Sequence, residues 1–302
     1  MTTAPQPLIG PTPDLPGALG RGLNTPVPAA RLYAWRVGIG FLVLLDVLFL
    51  YLADYSALYG EHGYTTSDVS DIHFQPHRAI WSLLRILPQG PVWLSVFVVW
   101  AFAALGLTAG IRPRLCAVIA WACSVSVLYA NPHMHPGGDR LRCILLFLLI
   151  FSPLPNRNDV RFGRLCSGWP VKFILFQLAI MYFFAGAYKL RHPGWQDGTA
   201  MYFIMNNSTW SLAPRLFALD VPGSLMFWKL VSWGSVLWEM TFPLLILIPW
   251  TRWRLGLGIG IAFHILCAIF LQVSTFPWYS LACYLPLVPW EKCSLFRNRI
   301  EQ

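Results

Sequence analysis

Long apolar runs recur from residue 37 to residue 290, and no polar block of domain size separates them. A helix needs about 20 mostly apolar residues to cross the hydrocarbon core of a bilayer. Only helices and closed barrels can cross it, because no water is present there to satisfy backbone polar groups. Of the 302 residues, 56% are hydrophobic and 12% are charged, whereas soluble proteins carry about 25% charged residues. The sequence therefore predicts an all-α fold, a polytopic membrane helical bundle.

The apolar runs predict about eight transmembrane helices. They lie at 31–55, 91–109, 113–130, 140–154, 171–190, 229–249, 254–272 and 275–290. The fourth is short for a bilayer about 30 Å thick. We therefore expect this helix to be tilted, to lie where the bilayer is locally thinner, or to be buried among its neighbours. In residues 78–87, Arg78, Ser82 and Arg85 share one helical face, which indicates an interfacial helix.

The chain divides into three parts by composition. Residues 1–30 contain seven prolines and few bulky aliphatic residues, so they cannot bury enough surface to offset the loss of chain entropy. We expect a disordered cytoplasmic tail there and no cleaved signal peptide. Residues 31–290 form the transmembrane domain, and residues 291–302 form a short basic cytoplasmic tail.

The 22 Lys and Arg residues are distributed unevenly between the two ends of the spans. The larger share lies in the N-terminal tail, after the even-numbered spans and at the C-terminus. Cytoplasmic segments carry such an excess in membrane proteins. We therefore expect a multi-pass protein of the cytoplasmic membrane with both termini in the cytoplasm. Lys189 and the loop 131–140 then lie near the extracytoplasmic face.

The net charge of +9 does not indicate a nucleic-acid partner, because the basic residues sit in short clusters between spans rather than on one face. The seven cysteines lie mostly inside apolar runs and lack zinc-like spacing, which indicates buried free thiols. HExxH, P-loop and dinucleotide-binding motifs are absent from the sequence. ATP-driven and NAD-dependent chemistry therefore have no support.

The most polar short segment between two spans is the loop Asn131–Arg140. One interpretation is a tight turn in which Asp139 caps the next helix. The other is a ligand site, since Gly137 and Gly138 permit close backbone approach and His133 and His135 supply ring nitrogens. A metal site at these histidines would need a third ligand, and the sequence does not fix one.

Charged or titratable residues within the spans are the other candidates. Asp46, Glu239 and His264 lie inside apolar runs, where such groups mark either a structural polar cluster or a functional site. Lys189 lies near the end of a span. It either snorkels to the membrane surface or, kept neutral by apolar surroundings, accepts a proton from a phenolic substrate. Aromatic residues near it, Tyr188 and Trp195 among them, suit a flat lipid-soluble ligand.

These residues occur in an order that resembles a known family. The matching segments are Gly110–Leu115, Asn131–Asp139, Phe184–Leu190 followed by Trp195, Gly198 and Met201, and Phe263–His264 with Phe276–Trp278. Together they resemble the membrane domain shared by vitamin K-dependent gamma-carboxylase and its bacterial relatives, the horizontally transferred transmembrane (HTTM) domain. The loop and the chain length look closer to the bacterial branch required to mature a secreted sporulation-delaying peptide toxin.

The resemblance implies roles for particular residues. Lys189 would be the base that deprotonates reduced vitamin K or menaquinol, and His133 or His135 would stabilise the resulting anion. His264 would line the cavity as a further catalytic residue. The cofactor would be bound by Tyr188, Trp195, Asp139 and Glu239, with no resident metal. O2 and CO2 would be consumed if the reaction were a carboxylation.

The resemblance and the residues together leave several functions open. The animal carboxylase has a sizeable lumenal domain where this sequence has a short tail, so we expect modification or maturation of a secreted peptide, with an accessory protein as a further partner. A non-enzymatic membrane partner in peptide toxin maturation or immunity is the alternative. A transporter with Asp46, Glu239 and His264 as a proton relay ranks third, because the sequence shows no clear inverted repeat.

Overall fold

The computed structural model describes residue 9 and residues 22–65, 82–130, 137–212 and 223–293. The described chain is divided into two compact units. Unit one comprises Met1–Val171 and Trp278–Gln302, and unit two comprises Lys172–Pro277. Helices dominate both units, which confirms the prediction of an all-α polytopic membrane bundle.

The described helices follow one another along the chain. They are α1 (Ala29–Asp46, continued by a π-helical turn, Val47–Tyr51), α2 (Tyr55–Tyr59), α3 (Leu83–Ile86), α4 (Pro91–Ala109), α5 (Pro113–Ala130), α6 (Gly137–Phe151), α7 (Arg157–Arg161), α8 (Trp169–Lys189), α9 (Pro193–Gln196), α10 (Ala200–Asn206), α11 (Ser224–Leu247), α12 (Pro249–Phe270, π-helical over Arg252–Gly258) and α13 (Phe276–Ala282). Two short 3₁₀ helices, Leu285–Leu287 and Trp290–Lys292, come after α13.

Six of these helices are long and apolar enough to cross a membrane: α1, α4, α5, α8, α11 and α12. The fourth and eighth spans expected from the sequence correspond to shorter helices. Helix α6 has 15 residues, which extend about 22 Å at 1.5 Å per residue. Helix α13 has 7 residues, and Pro286 and Pro289 follow it, where a proline cannot continue an α-helix.

In unit one, the helices pack in chain order, with α4 against α1, α5 against α4 and α6 against α5. Large aromatic side chains fill these contacts, including Trp35, Trp93 and Trp100, which are all buried. Just before α1, strand β1 (Val27–Pro28) pairs antiparallel with strand β2 (Leu165–Cys166). Ordered structure in unit one therefore begins before residue 31, and the rest of the expected N-terminal tail lies largely outside the described residues.

Arg36 is a buried cation of α1 that caps the C-terminal end of α4. Its Nη1 donates hydrogen bonds to the carbonyl oxygens of Leu107 and Thr108, which belong to the last turn of α4. The last carbonyls of a helix lack internal partners and attract positive charge. Gly110 then ends the helix with a φ of 82°, and a Cβ atom there would lie 3.3 Å from Nη1 of Arg36. This arrangement explains the glycine of the Gly110–Leu115 motif.

Unit two contains most of α8 together with α9 to α12. Helix α11 packs against α10 and against the π-helical part of α12. Pro243 lies inside α11, where a proline removes one internal hydrogen bond. The buried side chains include Leu178, Tyr182 and Phe242. They form part of the apolar interior of this unit.

Two further expectations concern cysteines and the interfacial segment. All seven cysteines lie in the described residues and are free thiols, five of them buried, as expected.

Of the interfacial segment 78–87, residues 78–81 lie outside the described residues. The described part forms α3, where Leu84 is buried and the Ser82 hydroxyl donates to the backbone oxygen of Ser126 in α5.

Candidate active site in an apolar cavity

Three helices of unit two bring titratable side chains together. Lys189 is in the last turn of α8, Glu239 lies within α11, and His264 lies within α12. Helix α8 ends at Lys189, and Pro193 starts the short helix α9 soon after. The two other residues are far from the ends of their helices. Ionisable groups at that depth are costly unless they face protein or each other.

Gly186 lets α8 approach α11 closely one turn before Lys189. A Cβ atom at this position would lie 2.9 Å from Cγ of Met240 and 3.2 Å from Cβ of Glu239. Residues three apart share a helical face, so the same face that carries Gly186 also carries Lys189. The absence of a side chain at residue 186 therefore brings the lysine within reach of Glu239.

Lys189 and Glu239 form a short ion pair. The Nζ atom of Lys189 donates to Oε1 of Glu239 at 2.5 Å, and the two side chains are 19% and 3% exposed. The ammonium also lies 4.7 Å from the ring centroid of Trp195 and 5.9 Å from that of Phe263. Aromatic faces attract cations at such distances. A carboxylate and two rings therefore surround the lysine nitrogen.

The second carboxylate oxygen of Glu239 has a different environment. Oε2 is buried and has no hydrogen-bond partner among the described residues. An unsatisfied buried polar atom costs free energy, and in native proteins it calls for a functional or structural explanation. The Lys189–Glu239 pair is thus only partly satisfied by the chain itself.

A second polar pair is buried in the same unit. The hydroxyl of Tyr182 and Nε2 of His264 lie 2.7 Å apart, and both residues are buried. The Tyr182 ring packs against Phe242 at 4.5 Å and against Trp238 at 4.6 Å between centroids. This packing fixes the hydroxyl, so the orientation of the histidine ring is fixed as well.

Both pairs border one cavity of about 580 Å³. Its walls are mainly methionine, aliphatic and aromatic side chains, and its few polar side chains include Ser235. Ligand pockets of proteins have this size, this apolar lining and this small number of convergent polar groups. The remaining lining residues are Met181, Ala185, Trp195, Met201, Ile204, Met205, Phe227, Trp228, Val231, Phe263, Leu266, Cys267, Phe270, Leu271, Val273 and Phe276.

Not every residue singled out from the sequence borders this cavity. Lys189, Trp195, Glu239 and His264 do. Tyr188 does not line it. Its side chain is 64% exposed and packs edge-on against His192 at 4.6 Å between ring centroids. A lysine and its chain neighbour point in different directions on a helix, which accounts for the difference.

Asp139 belongs to a different cluster, in unit one. Nη1 of Arg142 lies 2.7 Å from Oδ1 of Asp139 and 3.1 Å from Oδ2 of Asp46. The hydroxyls of Tyr51 and Tyr279 donate to Asp139 and Asp46 respectively. Asp139 thus contributes to a buried ion network and is not among the residues that line the cavity of unit two. Its expected partners, His133 and His135, lie outside the described residues.

A family model for the HTTM domain matches residues 24–289. The chain belongs to the HTTM domain family. This confirms the family expected from the motifs. The HTTM match includes every described residue of both the cavity and the Arg142 cluster.

Two relatives from Bacillus subtilis (strain 168) match parts of this HTTM protein. Uncharacterized protein YitO is 27% identical over 179 residues, which cover 55% of this chain and 58% of the relative. Sporulation-delaying protein SdpB is 23% identical over 170 residues, which cover 52% of each chain. The chain therefore spans little more than half the length of these curated relatives. No solved structure gives a significant match.

Two residues of the HTTM domain that matter to these clusters were not singled out from the sequence. Tyr182 lies in an ordinary aromatic run, and only the fold places its hydroxyl on His264. Arg142 is one of the 22 Lys and Arg residues that were used only to orient the chain, and its side chain is 0% exposed. Its position three residues after Asp139, within an apolar run, was a usable signal, because aspartate and arginine at that spacing pair on one helical face.

Proposed function

We propose that this HTTM-domain protein is a membrane enzyme that binds a quinol-type, lipid-soluble molecule in the cavity of unit two. The Lys189–Glu239 pair takes a proton from that molecule, and the reaction serves to modify or mature a secreted peptide. The observation that carries the proposal is the part-buried Lys189–Glu239 ion pair at the wall of an otherwise apolar cavity of about 580 Å³.

The cavity fits the chemistry of such a ligand. A reduced vitamin K or a menaquinol combines a flat ring system with a long apolar tail, and the methionine and aromatic walls match both parts. When bound, the reduced ring supplies an aromatic hydroxyl and reducing electrons. Residues of this chain do the remaining work.

The polar groups of the cavity divide that work. Lys189 is the group that meets the hydroxyl, since it is the more exposed member of its ion pair. Trp195 holds the ammonium in place through its ring face. The Tyr182–His264 pair offers a second polar point against the ligand, at a fixed orientation. By the family resemblance, His133 and His135 stabilise the anion.

The peptide part of the proposal rests on the match to sporulation-delaying protein SdpB. In the proposed topology both termini are cytoplasmic and all eight spans predicted from the sequence cross the cytoplasmic membrane. Lys189 then lies near the extracytoplasmic face, where a secreted peptide is accessible. An accessory protein completes the proposed pathway. O2 and CO2 enter as co-substrates if the modification is a carboxylation.

Lipid analysis of the purified protein tests the ligand directly. The wild type is extracted in mild detergent, and the bound lipids are analysed by mass spectrometry. Ala185 lines the cavity, so Ala185→Phe fills it. Ala262 lies on an exposed face of α12 and is not a lining residue, so Ala262→Phe is the matched control.

We expect a quinone with the wild type and with Ala262→Phe, and at least about tenfold less with Ala185→Phe, a loss that corresponds to about 1.4 kcal/mol of binding. Equal amounts in the two phenylalanine variants would place the quinone outside the cavity. Absence of quinone from the wild type, with other lipids retained, would contradict the proposed ligand class.

A further inference from the structure

The groups around Nζ of Lys189 are ones that bind an ammonium. A carboxylate oxygen lies 2.5 Å from Nζ, and the rings of Trp195 and Phe263 present their faces to the same atom. All of these neighbours stabilise an ammonium more than a neutral amine. An ammonium has no lone pair with which to accept a proton. Lys189 therefore needs a partner that takes a proton from it.

Glu239 is placed to be that partner. Oε1 already accepts a hydrogen bond from Lys189, and the 2.5 Å separation leaves a short path for a proton. Oε2 is buried without a hydrogen-bond partner among the described residues, so one of the two carboxylate oxygens lacks the hydrogen bond that would stabilise the anion. Nε2 of His264 is engaged with the Tyr182 hydroxyl, so that nitrogen is not available to take the proton.

We propose that Glu239 is the final proton acceptor of the cavity and that Lys189 relays the proton to it, an inference that rests on the proposed function. Lys189 takes the proton of the ligand hydroxyl as it gives one of its own protons to Oε1 of Glu239. The ligand O–H bond and one N–H bond of the lysine break, and a new N–H bond and an O–H bond on Glu239 form. No electrons are exchanged in this step.

The charge balance gives the physical reason for this route. Before the transfer the site holds an ammonium, a carboxylate and a neutral hydroxyl. Afterwards it holds an ammonium, a neutral carboxyl group and the oxygen anion of the ligand. The net charge is zero in both states, so no isolated charge is created where its desolvation would be expensive. In this route Glu239 receives the proton from Lys189 and acts on the ligand only through the lysine.

The test uses the full-length protein in detergent with 2-naphthol as the probe, because its ionised form absorbs at longer wavelength. Equilibrium dialysis gives the amount bound, and absorbance near neutral pH gives the ionised fraction of the bound probe. Glu239→Gln keeps an oxygen that accepts from Lys189 but cannot take up the proton. Glu61→Gln is the same change at an exposed residue of unit one and serves as the control.

We expect wild type and Glu61→Gln to bind and ionise the probe. Glu239→Gln binds a similar amount but ionises at least about tenfold less, which is the effect of a one-unit change in acidity. Glu239→Asp restores part of the ionisation and alters its dependence on pH. An unchanged ionised fraction in Glu239→Gln would refute the relay, whereas lack of probe binding by the wild type would contradict the proposed function itself.

A measurement on the wild type alone covers the case in which Glu239→Gln fails to fold. In weakly buffered solution with a pH indicator, wild-type protein that ionises bound 2-naphthol releases no proton to the medium, because Glu239 retains it. Release of one proton for each probe ionised would overturn the inference without any variant.

Discussion

Arg142 shows how one buried cation organises unit one. Its guanidinium reaches the carboxylates of Asp46 and Asp139, and it lies 4.9 Å from the ring centroid of Trp100. Two carboxylates would repel each other at this depth without it. Removing one partner of such a network leaves an uncompensated buried charge, which is more costly than never having built the network.

We therefore expect Arg142→Met to lower the stability of the folded protein by about 3–5 kcal/mol. Thermal unfolding in detergent, followed by tryptophan fluorescence, measures the change. Arg140→Met is the matched control, because Arg140 is an exposed residue of the same helix. Adding Asp46→Asn to Arg142→Met should recover part of the loss. Similar destabilisation by Arg140→Met would show that the ion network is not the cause.

At the scale of single residues, the sequence predicted the members of the cavity better than their partners. Lys189, Glu239 and His264 were found because a titratable group in an apolar run is conspicuous. The ion pair between the first two was not specified, because their partnership depends on how α8 and α11 cross. Asp139 was considered either as a helix cap or as part of a ligand site. Its contact with Asp46 through Arg142 was not predicted, because it joins distant parts of the chain.

At the scale of the helices, the approach of α8 to α11 at Gly186 sets the geometry of the cavity. The nearest groups across this contact are Met240 and Glu239, so a larger residue at 186 pushes on the glutamate that binds Lys189. Small residues at helix contacts are the usual means of close packing in membranes.

We expect Gly186→Val to separate the two helices, reduce stability by about 1–3 kcal/mol through overpacking, and reduce the amount of co-purified quinone. Gly234→Val is the matched control on α11, where an added Cβ meets no atom within 4 Å. Thermal unfolding and lipid mass spectrometry of both variants measure the effects. If the two valine variants behave alike, the close contact at Gly186 does not determine the site.

The helices themselves were largely predictable. Length and apolar composition located α4 and α5 with the same bounds, because glycine or proline marks their ends. The segment at 140–154 was expected to be short, and α6 has the same length of 15 residues, beginning three residues earlier. The segment at 275–290 forms only the 7-residue helix α13, because hydropathy alone does not show that Pro286 and Pro289 prevent an α-helix from continuing.

At the scale of the whole molecule, orientation decides which compartment the cavity serves. The described residues contain six candidate spans, and the distribution of Lys and Arg indicates which ends are cytoplasmic. With both termini cytoplasmic, and with the 15-residue α6 also crossing the membrane as in the eight-span prediction from the sequence, we expect the connection around residue 158 to be cytoplasmic and the segment after α10 to be extracytoplasmic.

Cysteine labelling in intact cells measures this orientation. Thr209 and Asn158 are both exposed. We expect Thr209→Cys to react with a membrane-impermeant maleimide in intact cells, and Asn158→Cys to react only after permeabilisation. The parent protein, with its seven free cysteines, sets the background. The reverse pattern would place the Lys189 end of α8 in the cytoplasm and remove the basis for a secreted substrate.

The π-helical turn at the end of α1 makes chain length in this segment matter more than residue identity. Residues five apart in an α-helix are rotated by about 140°, yet Asp46 and Tyr51 both bind Arg142. The wider turn, with its bond from Leu52 N to Val47 O, brings them toward one side. Phe49 is 73% exposed, so substituting it is harmless to the network, whereas deleting it would rotate Tyr51 away from the arginine. We therefore expect insertions and deletions in this segment, rather than substitutions of its exposed residues, to disrupt the contacts of Arg142.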